Sequence, residues 1–124
     1  AQVKPVLSRE DLLTMQEDVK KVMVSDAIRD YIVNIVTATR ESSQLTLGAS
    51  PRASLALARA AQAWAYLQGR SYVNPEDVQE VAPAVLTHRL VVSLEASLRK
   101  ATAADILKDC MTGVPVPPVV AAKG

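Results

Sequence analysis

Leu47-Gly48-Ala49-Ser50-Pro51-Arg52 opens an alanine- and leucine-rich run that continues to Leu67, and Gly69 follows two residues later. This run predicts a central helix, because alanine and leucine have the highest helix propensities. We expect the Ser50 hydroxyl to cap the helix and Pro51 to take the first helical position, where a missing N–H costs nothing. Gly69 predicts a left-handed stop. Since the run is apolar on nearly every side, we expect the helix to be buried almost all round.

Arg52 is the unexpected residue in the first turn of this predicted helix. The helix dipole favours negative charge at this end, so a cation there needs another explanation. Helix N-termini and arginine side chains both bind phosphate well. Arg59 lies two turns further along, on the same face of the helix. The two arginines therefore predict either an ordinary solvent-exposed face or a phosphate-facing surface.

The flanking sequence predicts four further helices, each opened by a residue that can cap the first turn. The four capping residues are Ser8, Ser25, Asn74 and Thr102. The corresponding helices are predicted over residues 9–22, from residue 26 to about 40, from residue 75 to about 88, and from residue 103 to a stop at Gly113. Together with the central helix they predict an all-α domain, a small bundle of five helices, give or take one.

Three details of this bundle are expected from local sequence. The connection between the first two helices is so short that we expect them to pack as neighbours. Pro83 lies inside its helix and should kink or shorten it. Leu45-Thr46-Leu47 could be briefly extended, and residues 90–94 fit either an extended or a helical segment. The structure of residues 90–101 stays open.

The ends of the chain predict a linker and a tail around this domain. Pro5 disfavours helix at the residue before it, so residues 1–7 are expected to be an extended linker arriving from an upstream domain. The helical domain is expected over residues 8–113. Prolines at positions 115, 117 and 118 exclude regular helix, so residues 114–124 are expected to form an extended tail.

Composition narrows the class of protein. The 124 residues suffice for one domain, and because there is no Phe the core must use Leu, Val, Ala and Ile. The formal net charge of +1 argues against a nucleic-acid-binding protein, which needs a basic face. The single cysteine, Cys110, cannot form an internal disulfide, which fits a reducing compartment without establishing one. No apolar run approaches the roughly 20 residues of a membrane-spanning helix.

Catalytic and metal sites find little support in the sequence. His88 and Cys110 are far apart, and we interpret them as a capping or packing residue and a core residue. Trp64 and Tyr66 are interpreted as packing residues. No Cys or His pair has metal-ligand spacing, and no glycine-rich loop precedes Lys-Ser or Lys-Thr. Helix electrostatics accounts for four acidic residues in predicted first turns: Glu10, Asp11, Glu76 and Asp77.

Five segments are distinctive in combination: residues 47–53, residues 69–78, His88-Arg89-Leu90, Pro5-Val6-Leu7-Ser8 and residues 24–33. Together they resemble the C-terminal helical lid of MoxR-family AAA+ ATPases. Each motif alone is weak, but their combination covers nearly the whole chain. The resemblance implies the fold of an AAA+ lid.

The resemblance also implies a role for the first helical turn. In this family the arginine of the Gly-Ala-Ser-Pro-Arg motif is the second sensor, which reaches toward the terminal phosphate of ATP bound by a preceding α/β core. Arg52 matches that arginine, and Ser50 and Pro51 would position it. The implied cofactors of the intact protein are ATP and magnesium. By themselves, these residues are expected to bind nucleotide only weakly. We expect them to include no catalytic residue and no metal ligand.

The implied partners are the ATPase core, the neighbouring subunits of a homo-oligomeric ring and a possible client protein. A cytoplasmic, chaperone-like role follows from the same resemblance, with no nucleic acid and no membrane span. Two alternatives stay open. One is a free-standing helical interaction module without nucleotide function, which offers a groove or an arm over residues 114–120. The other is a histone-like or helix-turn-helix protein, which the near-neutral charge disfavours.

Overall fold

The protein, seen in a computed structural model that describes residues 8–118, is a helical bundle with one small sheet. Its elements in chain order are α1 (Arg9–Lys20), α2 (Asp26–Glu41), β1 (Leu45–Leu47), α3 (Arg52–Leu67), α4 (Pro75–Leu86), β2 (Val91–Val92), α5 (Leu94–Leu98) and α6 (Ala103–Thr112). A short 3-10 helix, Thr87–Arg89, follows α4. The predicted all-α class is confirmed, with six α-helices among the described residues. The predicted linker and the tail beyond residue 118 lie outside them.

Helix α3 is the centre of the bundle, because α1, α2 and α4 all pack against it. Its buried side is one stripe at helical spacing: Ala53, Leu57, Ala61 and Ala65. The prediction that α3 is buried almost all round is wrong, since Leu55 is 57% exposed and Leu67 is 66% exposed. Within residues 8–118, neighbouring helices cover only part of the circumference of α3. An apolar composition does not reveal how many partners a helix has.

Helix α3 ends as predicted, at a glycine in the left-handed region. The last helical residue is Leu67, and Gly69 has a φ of +80°. The Gly69 N–H donates to the Tyr66 carbonyl, and the Arg70 N–H donates to the Ala65 carbonyl, both at 2.9 Å. These two bonds form a Schellman motif, which satisfies carbonyls that the helix end would otherwise leave without donors.

The hydrophobic core lies between α2, α4, α6 and the buried stripe of α3. Its largest fully buried apolar side chains come from all four helices: Tyr31, Ile32, Ile35, Leu57, Val78, Leu86, Ile106 and Leu107. Burying a side chain of this size stabilises the fold by about 1.5–3 kcal/mol. On α2 and α6 these positions recur at helical spacing, so each of the two helices presents one apolar face to the core.

Helix α1 departs from the prediction in its packing partner. Its capping box is present, because Ser8 and Asp11 each accept a backbone N–H from the other. However, α1 packs mainly against α3 rather than against α2, the expected neighbour. None of its residues is buried, and Leu12 and Leu13 are 48% and 53% exposed. A short connection constrains where the next helix begins, but it does not decide which helix it contacts.

The start of α4 contains a buried ion pair that helix electrostatics alone does not explain. Asp77 is 1% exposed and pairs with the guanidinium of Arg70, which lies just beyond the end of α3. The same carboxylate accepts the Asn74 N–H at 2.7 Å. The earlier interpretation is therefore incomplete for Asp77. Its carboxylate links the end of α3 to the start of α4. Among residues 8–118, these two helices form the largest helix–helix contact.

Pro83 does not shorten α4, contrary to one of the two outcomes expected for it. The helix continues to Leu86 and passes directly into the 3-10 helix. Pro83 cannot donate to the carbonyl of Gln79, one turn earlier. Both residues are exposed, so water can replace the missing donor. The interruption is tolerated because it lies on the solvent side of the helix.

Residues 90–101 contain both an extended segment and a helix. Strand β2 pairs with β1 in antiparallel fashion, with Leu45 opposite Val92 and a register irregularity before Leu47. The brief extended segment predicted at residues 45–47 is thus confirmed. After β2, Ser93 caps α5 by accepting the Ala96 N–H at 3.2 Å.

After α6, Val114 is 7% exposed, and residues 115–118 have no regular secondary structure.

Candidate functional site

The site begins with Arg52, the first residue of α3. Its side chain is exposed, and it forms no ion pair with any of residues 8–118. A guanidinium carries five donors in a planar fork that matches two oxygens of a phosphate or carboxylate. The residue singled out by the sequence is therefore open to an anion from outside the described part of the chain.

The two residues before Arg52 open the helix differently from the prediction. Pro51 occupies the capping position with helical angles, φ −57° and ψ −28°, and no side chain caps the helix. The carbonyl of Ser50, rather than its hydroxyl, accepts the Ala53 N–H at 2.9 Å. The expected Ser50 cap is thus wrong. Because Pro51 already has the fixed φ of a helix, the turn forms without a side-chain cap.

Two further residues of the motif, Gly48 and Ala49, lie directly on the last turn of α2. A Cβ at Gly48 would approach the carbonyl oxygen of Thr39 to 2.5 Å and two backbone atoms of Arg40 to 2.6 Å, so only glycine fits. Ala49 is fully buried, and its N–H donates to the hydroxyl of Thr39 at 3.0 Å. Thr39, Gly48 and Ala49 thus join the loop before α3 to the end of α2.

Thr39 is the residue of this site that sequence reasoning missed. From the sequence, Thr39 is only one of two candidates, with Ala38, for the last position of the apolar stripe of α2. The structure buries it completely, and its hydroxyl also donates to the Val36 carbonyl at 2.6 Å. The available signal was a hydroxyl on the inward face of a helix, since a buried hydroxyl needs a hydrogen-bond partner. The identity of that partner could not be read from the sequence.

Arg59 shares the exposed side of α3 with Arg52 but lies in a different environment. It lines a groove of about 720 Å³ between α3 and α1. The apolar part of the lining includes Leu12, Met15 and Val19 from α1 and Leu55 from α3. Arg52 thus lies at the start of α3, and Arg59 lies beside the groove further along the same face. In the described structure the two arginines do not share one pocket.

The other candidate residues are placed outside this site. His88 is exposed on the 3-10 helix, and it is Arg89 whose Nε donates to the Val85 carbonyl at 3.1 Å. Cys110 is partly buried, with its Sγ 3.8 Å from the Ala38 carbonyl oxygen. Burial raises the pKa of the Cys110 thiol above its ordinary value, a hydrogen bond from Ser42 opposes the rise, and the charge of Asp109 adds to it.

Of the two aromatic residues of α3, Tyr66 packs against the core, as interpreted from the sequence, whereas Trp64 lines a pocket with residues of α4. Trp64 and Tyr66 are both partly buried, and the Tyr66 hydroxyl lies 3.5 Å from a carboxylate oxygen of Asp18.

Among residues 8–118, no three His, Cys, Asp or Glu side chains come together as a metal site would require. In the same part of the chain, every helix is too short or too polar to cross a membrane.

A comparison with family models finds one match that includes most of this site. The model describes the AAA lid domain and matches residues 37–110, from the last turn of α2 to near the end of α6. Thr39, Gly48 and Arg52 all lie inside the matched segment. The match therefore covers the site and most of the helices that position it.

Several curated proteins are similar to this chain, among them proteins named MoxR1 and MoxR. The uncharacterized protein YeaC of Bacillus subtilis is 43% identical over 115 residues, which are 93% of this chain and 36% of YeaC. The chaperone MoxR1 of Mycobacterium tuberculosis is 40% identical over 127 residues, with coverage of 95% and 34%. The protein MoxR of Methylorubrum extorquens is 38% identical over 71 residues, 56% of this chain and 21% of that protein.

A solved structure shows the same architecture. The crystal structure of a proposed ATPase from Cytophaga hutchinsonii matches with a TM-score of 0.82 and 33% sequence identity, and covers 88% of this chain. The match corresponds to 36% of that protein. The chain thus spans about a third of the length of YeaC, MoxR1 and this ATPase.

Proposed function

The chain belongs to the AAA lid domain family and is a lid of the MoxR type, and from this premise we propose that Arg52 senses the phosphates of a nucleotide bound by an adjoining ATPase core. In this proposal the lid hydrolyses nothing by itself. It completes the nucleotide site of an AAA+ ATPase and changes its position relative to the core when the nucleotide changes.

The observation that carries the proposal is the state of Arg52. It is exposed, has no ion-pair partner among residues 8–118, and is the first residue of a helix whose start is held against α2. A planar guanidinium can pair two phosphate oxygens and offset the negative charge present during phosphoryl transfer. The dipole at the start of α3 favours an anion at the same place.

The cofactors of the proposed function are ATP and magnesium, and Arg52 fits only the phosphate part. Magnesium prefers carboxylate and water oxygens, and we assign no magnesium ligand to residues 8–118. The core would hold the metal and most of the nucleotide. Since Arg52 belongs to a separate helical domain, a contact that exists with one nucleotide and not with another biases the lid toward one position.

The partners proposed for the lid are its own ATPase core and neighbouring subunits of a homo-oligomeric ring. The relative from Mycobacterium tuberculosis is named a chaperone, which supports a chaperone-like role on a client protein. We also propose a cytoplasmic location, on the same family relationship. Arg52 is the residue of the lid through which ATP would control these interactions.

The proposal is tested by Arg52→Ala in the full-length ATPase that carries this lid. We expect kcat for ATP hydrolysis to fall by about 100- to 1,000-fold, because one preorganised donor to developing charge is removed. Arg29→Ala is the matched control, because it also removes one exposed positive charge. Arg29 lies about 15 Å along α2 from Thr39. The measurement is steady-state ATP turnover, with assembly followed by sedimentation.

Two results would contradict the proposal. One is unchanged turnover and unchanged nucleotide-dependent assembly in Arg52→Ala, which would favour the alternative of a helical interaction module. The other is an equal loss in Arg29→Ala, which would show that net charge rather than the position of Arg52 matters.

A further inference from the structure

We propose that Thr39 is a positioning residue for Arg52, acting through the backbone of Gly48 and Ala49. The inference rests on the proposed function of Arg52. It adds a residue on a different helix, α2, whose hydroxyl would fix the direction in which α3 and its first side chain leave the loop.

The hydroxyl of Thr39 makes two hydrogen bonds within the protein, one as donor and one as acceptor. It donates to the Val36 carbonyl at 2.6 Å and accepts the Ala49 N–H at 3.0 Å. Thr39 and Ala49 are both fully buried, so water cannot replace either bond. Among residues 8–118, the only hydrogen bond that this side chain makes outside its own helix is thus to Ala49, three positions before Arg52.

The backbone at Gly48 adds a steric constraint to this hydrogen bond. The loop lies so close to α2 that a Cβ at Gly48 would come within 2.6 Å of backbone atoms of Thr39 and Arg40. Backbone atoms cannot yield as a flexible side chain can. The loop is therefore fixed at two successive residues, by contact at Gly48 and by the Thr39 hydroxyl at Ala49.

The link from Ala49 to Arg52 has little freedom to absorb a displacement. Pro51 has its φ fixed by its ring. The Ser50 and Pro51 carbonyls already accept the N–H groups of Ala53 and Ser54 at 2.9 and 3.0 Å, and Ala53 is fully buried. A shift at Ala49 is therefore transmitted to the start of α3. Arg52 has no ion-pair partner among residues 8–118, so within them its backbone alone fixes the point from which its side chain extends.

A plain packing role for Thr39 makes a different prediction. Valine has the shape of threonine and lacks the hydroxyl, whereas serine keeps the hydroxyl and lacks the methyl group. If Thr39 only fills space, Thr39→Val is harmless and Thr39→Ser is harmful. If the hydroxyl positions Arg52, the order is reversed.

The test uses the full-length ATPase with four variants: Thr39→Val, Thr39→Ser, Arg52→Ala, and the double variant of Thr39→Val with Arg52→Ala. We expect Thr39→Val to lower kcat about tenfold, with KM for ATP changed less than kcat, because a small misplacement of a group that acts on the transition state lowers the rate steeply. Thr39→Ser should stay within about twofold of the parent. In the Arg52→Ala background, Thr39→Val should cause no further loss.

The double variant separates positioning from stability, since a merely structural defect lowers turnover by the same factor in both backgrounds. Equal losses in the two backgrounds, unchanged turnover in Thr39→Val, or a Thr39→Val protein that lacks native helicity by circular dichroism would each overturn the role of Thr39 while Arg52→Ala remains impaired. If Arg52→Ala itself has full activity, the proposed function fails, and the positioning inference fails with it.

Discussion

Two single residues, Gly69 and Lys100, end helices in the same backbone conformation with different side chains. Gly69 has a φ of +80° after α3, and Lys100 has a φ of +65° after α5. In both places the following N–H donates back across the turn, from Arg70 to Ala65 and from Ala101 to Ala96. Glycine adopts this region freely, whereas an L residue with a Cβ is strained there.

The shared motif predicts opposite effects for two substitutions. Gly69→Ala should destabilise the domain by about 1 kcal/mol, and Lys100→Gly should stabilise it by a similar amount. Apart from its two chain neighbours, none of residues 8–118 has a heavy atom within 4 Å of a Cβ placed at Gly69, so the effect there is conformational rather than steric. Urea denaturation of the 124-residue chain measures both. Lys100→Ala is the control, because it removes the charged side chain but keeps the Cβ. An equal gain from Lys100→Ala would assign the effect to charge instead.

Arg52 and Thr39 show which parts of the site the sequence could predict. Arg52 was conspicuous because a cation in a first helical turn conflicts with the helix dipole. Thr39 was not, since one threonine in an apolar stripe is compatible with packing, capping or bending. Its role depends on a loop that returns ten residues later to its hydroxyl, and only the folded structure brings these groups together.

Among the helices, α1 is the element whose existence was predictable and whose packing was not. Its capping box and apolar spacing gave its start at residue 9, and the helix ends two residues before the predicted position 22. Its partner depends on which surface of α3 remains free after α2 and α4 have packed. The pairing of β1 with β2 was unpredictable for a similar reason, because each strand is too short to carry a periodic signal.

The exposure of α1 predicts that its leucines contribute little to stability. Leu13 is 53% exposed, so Leu13→Ala should lower the free energy of unfolding by less than about 1 kcal/mol. Leu57 is fully buried, and Leu57→Ala should lower it by about 3 kcal/mol because a cavity remains. Chemical denaturation of the 124-residue chain compares the two variants. A loss for Leu13→Ala as large as that for Leu57→Ala would mean that α1 is packed more tightly than the structure shows.

Taken as a whole, the molecule has one core, and Arg52, the residue proposed to sense phosphate, is exposed outside it. Apolar periodicity and capping residues sufficed for the all-α class, since they determine each helix locally. The buried ion pair between Arg70 and Asp77 escaped prediction, because it depends on how α3 and α4 are placed in space. The proposed phosphate-sensing role would account for an exposed arginine at a helix start that is held against α2.

The whole chain also predicts how weakly it binds nucleotide alone. Micromolar affinity requires about 8 kcal/mol of binding free energy, whereas one exposed charge pair supplies at most about 1 kcal/mol. The 124 residues contain no glycine-rich phosphate loop that could supply the rest. Isothermal titration of the chain with magnesium-ATP should therefore show no binding at micromolar concentrations, and Arg52→Ala should give the same trace. Micromolar binding that Arg52→Ala abolishes would show instead that these residues form most of a nucleotide site, which would contradict the dependence on a core.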